Sequence, residues 1–145
     1  MVKDDEAYIV AVNSCMLSAH QDKDIGISQL PFAVEAVFPI GPLAISPTND
    51  GLQNGKPRNV ERYSLKKPSG ANVPTDNFLD PNYAGTSALI GCSQRHTLDK
   101  NLYLIAVHNP LAKNPVDTGI LGADIEYVAE ENGAGSFSLR SVKKP

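Results

Sequence analysis

Apolar residues along this chain come in short runs, each closed by glycine, proline or asparagine. Ala7 to Val12 is a continuous apolar run rich in β-branched residues, which predicts a strand covered on both faces. Thr86 to Cys92 and Leu102 to His108 have the same character and predict two more strands. Between them the period changes. Leu30, Ala33, Val34, Val37 and Phe38 follow the i, i+3, i+4, i+7, i+8 spacing of one helical face. Ser28 is placed to cap that helix, and Pro39 with Gly41 stops it.

Shorter signals fill the rest. Leu43 to Ser46 and Val60 to Leu65 predict brief strands around a turn-rich loop. Lys66 to Asn77 reads as irregular, with Thr75 capping a single turn through Phe78 and Leu79. Ile125 to Glu130 and Ser136 to Val142 flank Glu131-Asn132-Gly133-Ala134-Gly135 and predict a terminal hairpin, with Ile125, Tyr127 and Ala129 on one face. The expectation is one α+β domain over residues 1–145: a mixed sheet of about six strands, one or two short helices and a C-terminal β-hairpin.

Tyr8-Ile9-Val10-Ala11-Val12-Asn13 echoes Tyr103-Leu104-Ile105-Ala106-Val107-His108-Asn109. The echo predicts two neighbouring central strands under one packing demand. Run in parallel, they would bring Asn13, His108 and Asn109 to one sheet edge, where α/β folds commonly hold ligands. A small-molecule or hydrolase-like site there is one expectation, with the imidazole as acid–base group. The competing reading has His108 merely bonding a backbone carbonyl while Asn109-Pro110 begins a turn, and the sequence leans that way.

Composition narrows the remaining readings. A net charge of −3 gives no global case for nucleic acid. Locally, Lys56, Arg58, Arg62, Lys66 and Lys67 form a basic strip opposed by Glu61, with Tyr63 beside it. In an extended segment Arg58, Arg62 and Lys66 share a face able to track phosphates while an aromatic stacks on a base. The two cysteines are too few for a disulfide framework and, with no signal peptide, suggest a cytoplasmic protein. No apolar run approaches the length of a membrane helix. Cys15 with His20, and Cys92 with His96, supply two thiols and two imidazoles, a donor set that suits zinc. Without that metal no cofactor is expected. Gly85-Thr86-Ser87-Ala88-Leu89 is half a nucleophile elbow and lacks the second glycine.

Three stretches carry a resemblance: Ala7 to Asn13, Tyr83 to Ile90, and Val107-His108-Asn109-Pro110-Leu111-Ala112-Lys113-Asn114-Pro115. In this order they resemble landmarks of the form YVIAVN, GISAVL and HNPNAxxPL in uncharacterised bacterial proteins. Those landmarks are similar to the C-terminal half of restriction-endonuclease-like proteins. Such nucleases hold magnesium with an Asp and a Glu-x-Lys or Asp-x-Lys, and neither tripeptide occurs here. The resemblance therefore implies a truncated or companion domain without cleavage of its own, binding nucleic acid or a protein partner. A missing upstream half would leave a sheet edge open, so self-association is expected.

Overall fold

The computed structural model describes residues 5–14, 25–45, 57–92, 102–133 and 136–145. Among them lie nine strands: β1 (Ile9–Asn13), β2 (Ile40–Ala44), β3 (Arg58–Glu61), β4 (Ser64–Lys66), β5 (Asn72–Pro74), β6 (Ala88–Cys92), β7 (Ile105–His108), β8 (Ile125–Glu131) and β9 (Phe137–Lys143). One helix, α1 (Phe32–Glu35), and two single 3-10 turns complete the fold. The class is α+β, as the mixed periodicities predict. The main sheet has five strands in the order β1-β6-β7-β8-β9, and β2–β3 and β4–β5 form separate two-stranded ribbons.

The sheet is mixed. β1 runs parallel to β6 and β7 parallel to β8, whereas β6–β7 and β8–β9 are antiparallel. One face carries the core. Val34, Val37, Phe38 and Phe78 pack on Leu89, Ile105, Val107, Ile125 and Tyr127. Phe38 meets Phe78 edge to face at 6.0 Å and Phe137 at 5.3 Å. All four residues of β7 are buried, the expected fate of an uninterrupted apolar run in a central strand.

Two expectations fail on topology. β1 and β7 are not neighbours, because β6 lies between them. Among the described residues β1 is an edge strand, with Ala11, Val12 and Asn13 exposed, not a strand covered on both faces. Its direction is opposite to that of β7: Ala88 of β6 pairs with Ile9 at the start of β1 and with His108 at the end of β7.

Local chemistry revises others. The predicted helix shrinks to four residues. Gln29 takes a positive φ of 67°, and Pro31 is extended at the N-cap. Val37 then bonds Val34 in 3-10 fashion. The apolar stripe still reaches the core without a long helix. Ser28 does not cap it; its hydroxyl meets Glu35 instead. The strand predicted over Val60–Leu65 breaks at Arg62-Tyr63, and β5 arises within the stretch read as irregular. Three-residue strands are too short to show alternation. Thr75 donates its hydroxyl to the Arg62 carbonyl and caps nothing. Pairing of β2 with β3 shifts register between Ile40 and Leu43, around Gly41-Pro42, where proline has no N–H for the ladder. Gly41 is required there, since a Cβ would come 2.8 Å from the Val60 carbonyl oxygen.

Candidate functional site

His108 ends β7 on the sheet face opposite the core, with Glu126 of β8 on the same face. Its Nε2 lies 2.6 Å from Glu126 Oε2, and both residues are buried. The other carboxylate oxygen accepts the Gly119 N–H at 2.9 Å. The leaning toward a histidine bonded only to backbone is thus corrected: a carboxylate orients this ring. Its Nδ1 has no hydrogen-bond partner among the described residues. A carboxylate-oriented imidazole is half of an acid–base unit. No hydroxyl or thiol is bonded to the ring among the described residues to complete it.

The rest of the expected cluster does not assemble. Asn13 lies at the opposite end of the sheet, exposed at the end of β1. Asn109 is buried and its side chain is committed to main-chain groups of Tyr83, Thr86 and Leu111. Its amide nitrogen donates to the Tyr83 and Thr86 carbonyls at 3.0 and 2.8 Å, and its Oδ1 accepts the Leu111 N–H at 2.9 Å. That last bond closes an Asx turn ahead of the loop. Asn109 is a structural clamp.

The basic strip is also broken. Arg62 turns inward to the buried Glu35, Nη2 to Oε2 3.3 Å. Arg58, Lys66 and Lys67 remain exposed, Tyr63 donates its hydroxyl to Glu61 at 3.0 Å, and Lys56 lies outside the described residues. Of the zinc set, Cys15, His20 and His96 also lie outside them. Cys92 is partly buried at the end of β6, where its carbonyl accepts the Ser14 N–H and hydroxyl. Among the described residues no three His, Cys, Asp or Glu side chains gather as a metal site. None of their helices is long and apolar enough to cross a membrane.

A groove that the sequence did not suggest lies between the β2–β3 ribbon and the β8–β9 hairpin. Its cavity is about 520 Å³, lined by Leu30, Ile40, Leu79, Tyr127, Phe137 and Leu139 with Asn59, Val60, Glu61, Tyr63, Ser136 and Ser141. Phe137, Leu139 and Ser141 alternate along β9, so one strand face supplies one wall. β3 and β9 each have a strand partner on one side only among the described residues. The alternation in β9 was the one legible signal; the other wall comes from segments remote in sequence.

Two groove tyrosines resist ionisation. The Tyr127 phenol is held above its ordinary value of about 10, first by burial and then by Tyr103. Tyr63 is raised by its hydrogen bond to Glu61 and by that carboxylate's charge. Because the folded pKa of Tyr127 exceeds the unfolded one, its contribution to stability is complete below about pH 10 and is lost as pH rises through the folded value. Absorbance at 295 nm should show Tyr127 and Tyr63 titrating above the ordinary value of about 10. Tyr127→Phe should remove one, and Glu61→Gln should advance the other. A late titration left unchanged by both substitutions would refute this.

No protein-family model, curated protein or solved structure matches the chain.

Proposed function

We propose that this chain is a non-catalytic domain that binds a protein partner, taking an apolar segment into the groove between the β2–β3 ribbon and the β8–β9 hairpin. The observation that carries the reading is a groove of mixed apolar and polar lining, bounded by two strands whose outer edges have no strand partner among the described residues. Open edges offer backbone donors and acceptors, and a groove beside them can take the side chains of an added strand, the recurring mode of strand addition. Among the described residues the groove's ionisable lining includes Glu61 and no lysine or arginine, which suits a protein segment better than phosphate. Arg62, at the centre of the basic strip, is already engaged by Glu35. A companion domain of a nuclease-like architecture, as the three landmarks imply, is compatible with this role.

A displayed library of random peptides selected on the full chain tests the reading. Enriched peptides should alternate apolar residues and lose about tenfold or more in affinity on Val60→Asp or Tyr63→Ala. Both side chains are about half exposed, so the fold should tolerate these changes. No enrichment, together with salt-sensitive binding of labelled DNA that weakens on Arg58→Ala or Lys66→Ala, would overturn it in favour of nucleic acid.

A further inference from the structure

We infer that the partner is a second copy of this chain, joined through the open edge of β9 to make one continuous ten-stranded sheet. The inference rests on the protein-binding reading above and names the partner that takes the open strand edge beside the groove. β9 pairs with β8 over seven consecutive residues without a register shift, and it contains no proline. Natural edge strands are blunted by bulges, prolines or charges. The charges within β9 are Lys143 at its end and Arg140, which reaches back across its own hairpin to Glu130 at 2.6 Å.

Charge selects the direction of pairing. Glu130 and Glu131 stand at the turn end of the hairpin, and Lys143 and Lys144 at the other. Parallel addition of a second β9 would place lysines beside lysines. Antiparallel addition about a two-fold axis brings each copy's lysines toward the other's acidic turn end. Such an isologous contact closes as a dimer.

Side-chain alternation then selects the register. Residues directly opposite must share a sheet face, so the axis passes through a residue. Centred on Arg140, it would set two guanidinium groups against each other. Centred on Leu139, it sets Leu139 against its own copy, Phe137 against Ser141, and Ser138 against Arg140. Phe137, Leu139 and Ser141 all line the groove. The second copy's side chains at the same three positions emerge on that same face, adding apolar surface beside the groove. The Leu139 register therefore satisfies charge and alternation together and extends the apolar face beside the groove.

Sedimentation velocity on the full chain, with oxidative cross-linking, provides the test. The wild-type chain should dimerise. Ser138→Arg, at an exposed position facing Arg140 of the second copy, should raise the dissociation constant by about tenfold through two like-charge pairs per dimer. L139C should cross-link within the dimer, with the bond mapped to position 139 of both chains, while R140C should not. A dimer unaffected by Ser138→Arg, or cross-linked through R140C and not L139C, overturns the inference. A strict monomer whose groove still selects peptides overturns it while leaving the protein-binding reading intact; a monomer that selects none defeats both.

Discussion

His108→Ala should destabilise the fold by about 3–5 kcal/mol, the cost of removing one partner from a buried pair. Glu126 is only 3% exposed and would keep a single partner, the Gly119 N–H. A buried acid without its imidazole must forfeit solvation that no protein group replaces. The expected loss is a large share of the stability of a domain of this size, about 5–15 kcal/mol in all. Urea unfolding measures it directly. Replacing both residues, as His108→Leu with Glu126→Leu, should recover much of the loss, because the unsatisfied group disappears with its partner. The Gly119 amide should exchange its hydrogen faster in any variant lacking the Glu126 carboxyl. A His108→Ala protein as stable as wild type would show that the pair is not structural and would reopen the ring's Nδ1 as a working group.

That pair also marks where sequence reasoning stops. Ile125, Glu126 and Tyr127 alternate, so Glu126 stands on the face opposite Ile125 and Tyr127. The assignment of faces was correct: Ile125 and Tyr127 enter the core, and Ala129 packs against it. What alternation does not encode is that residues 118–123 fold over the far face and bury the acid. Likewise, the stripe from Leu30 to Phe38 was legible as a buried face, because burial depends on local spacing. Its helical length was not, because Pro31 and the positive φ at Gln29 decided it. The echo between Tyr8–Asn13 and Tyr103–Asn109 reflected a common need for apolar, β-branched residues. Strand order depends on crossings between distant segments, and similar composition does not make two strands adjacent. Asn109 before proline announced a turn, and the Leu111 N–H bonded to its Oδ1 bears that out.

Arg62→Ala should cost about 2–3 kcal/mol, at or below the lower end of the range for a broken buried pair because the guanidinium keeps some solvent contact. Glu35 is the more deeply buried partner, 7% exposed at the side chain against 18% for Arg62. Its carboxylate accepts the Ser28 N–H at 2.7 Å, the Ser28 hydroxyl and the Arg62 guanidinium. Gly26 backs directly onto it, where any Cβ would overlap the carboxyl atoms. Asn59 adds a second tie by donating to the Ser28 carbonyl at 3.2 Å and the Gly41 carbonyl at 2.9 Å. These bonds fasten the β2–β3 ribbon to the segment around α1 and so hold one wall of the groove. Glu35→Ala should cost more than Arg62→Ala, because it strands the guanidinium, whose Nε is buried and already lacks a partner. A double-mutant cycle should give a coupling of about 1–3 kcal/mol between the two positions. The same variant separates two roles for the basic strip. A structural arginine predicts lost stability and weakened groove binding, although Arg62 does not itself line the groove. A phosphate-binding arginine predicts unchanged stability and a shallower salt dependence of DNA binding. With its guanidinium drawn onto a buried carboxylate, Arg62 should follow the first pattern.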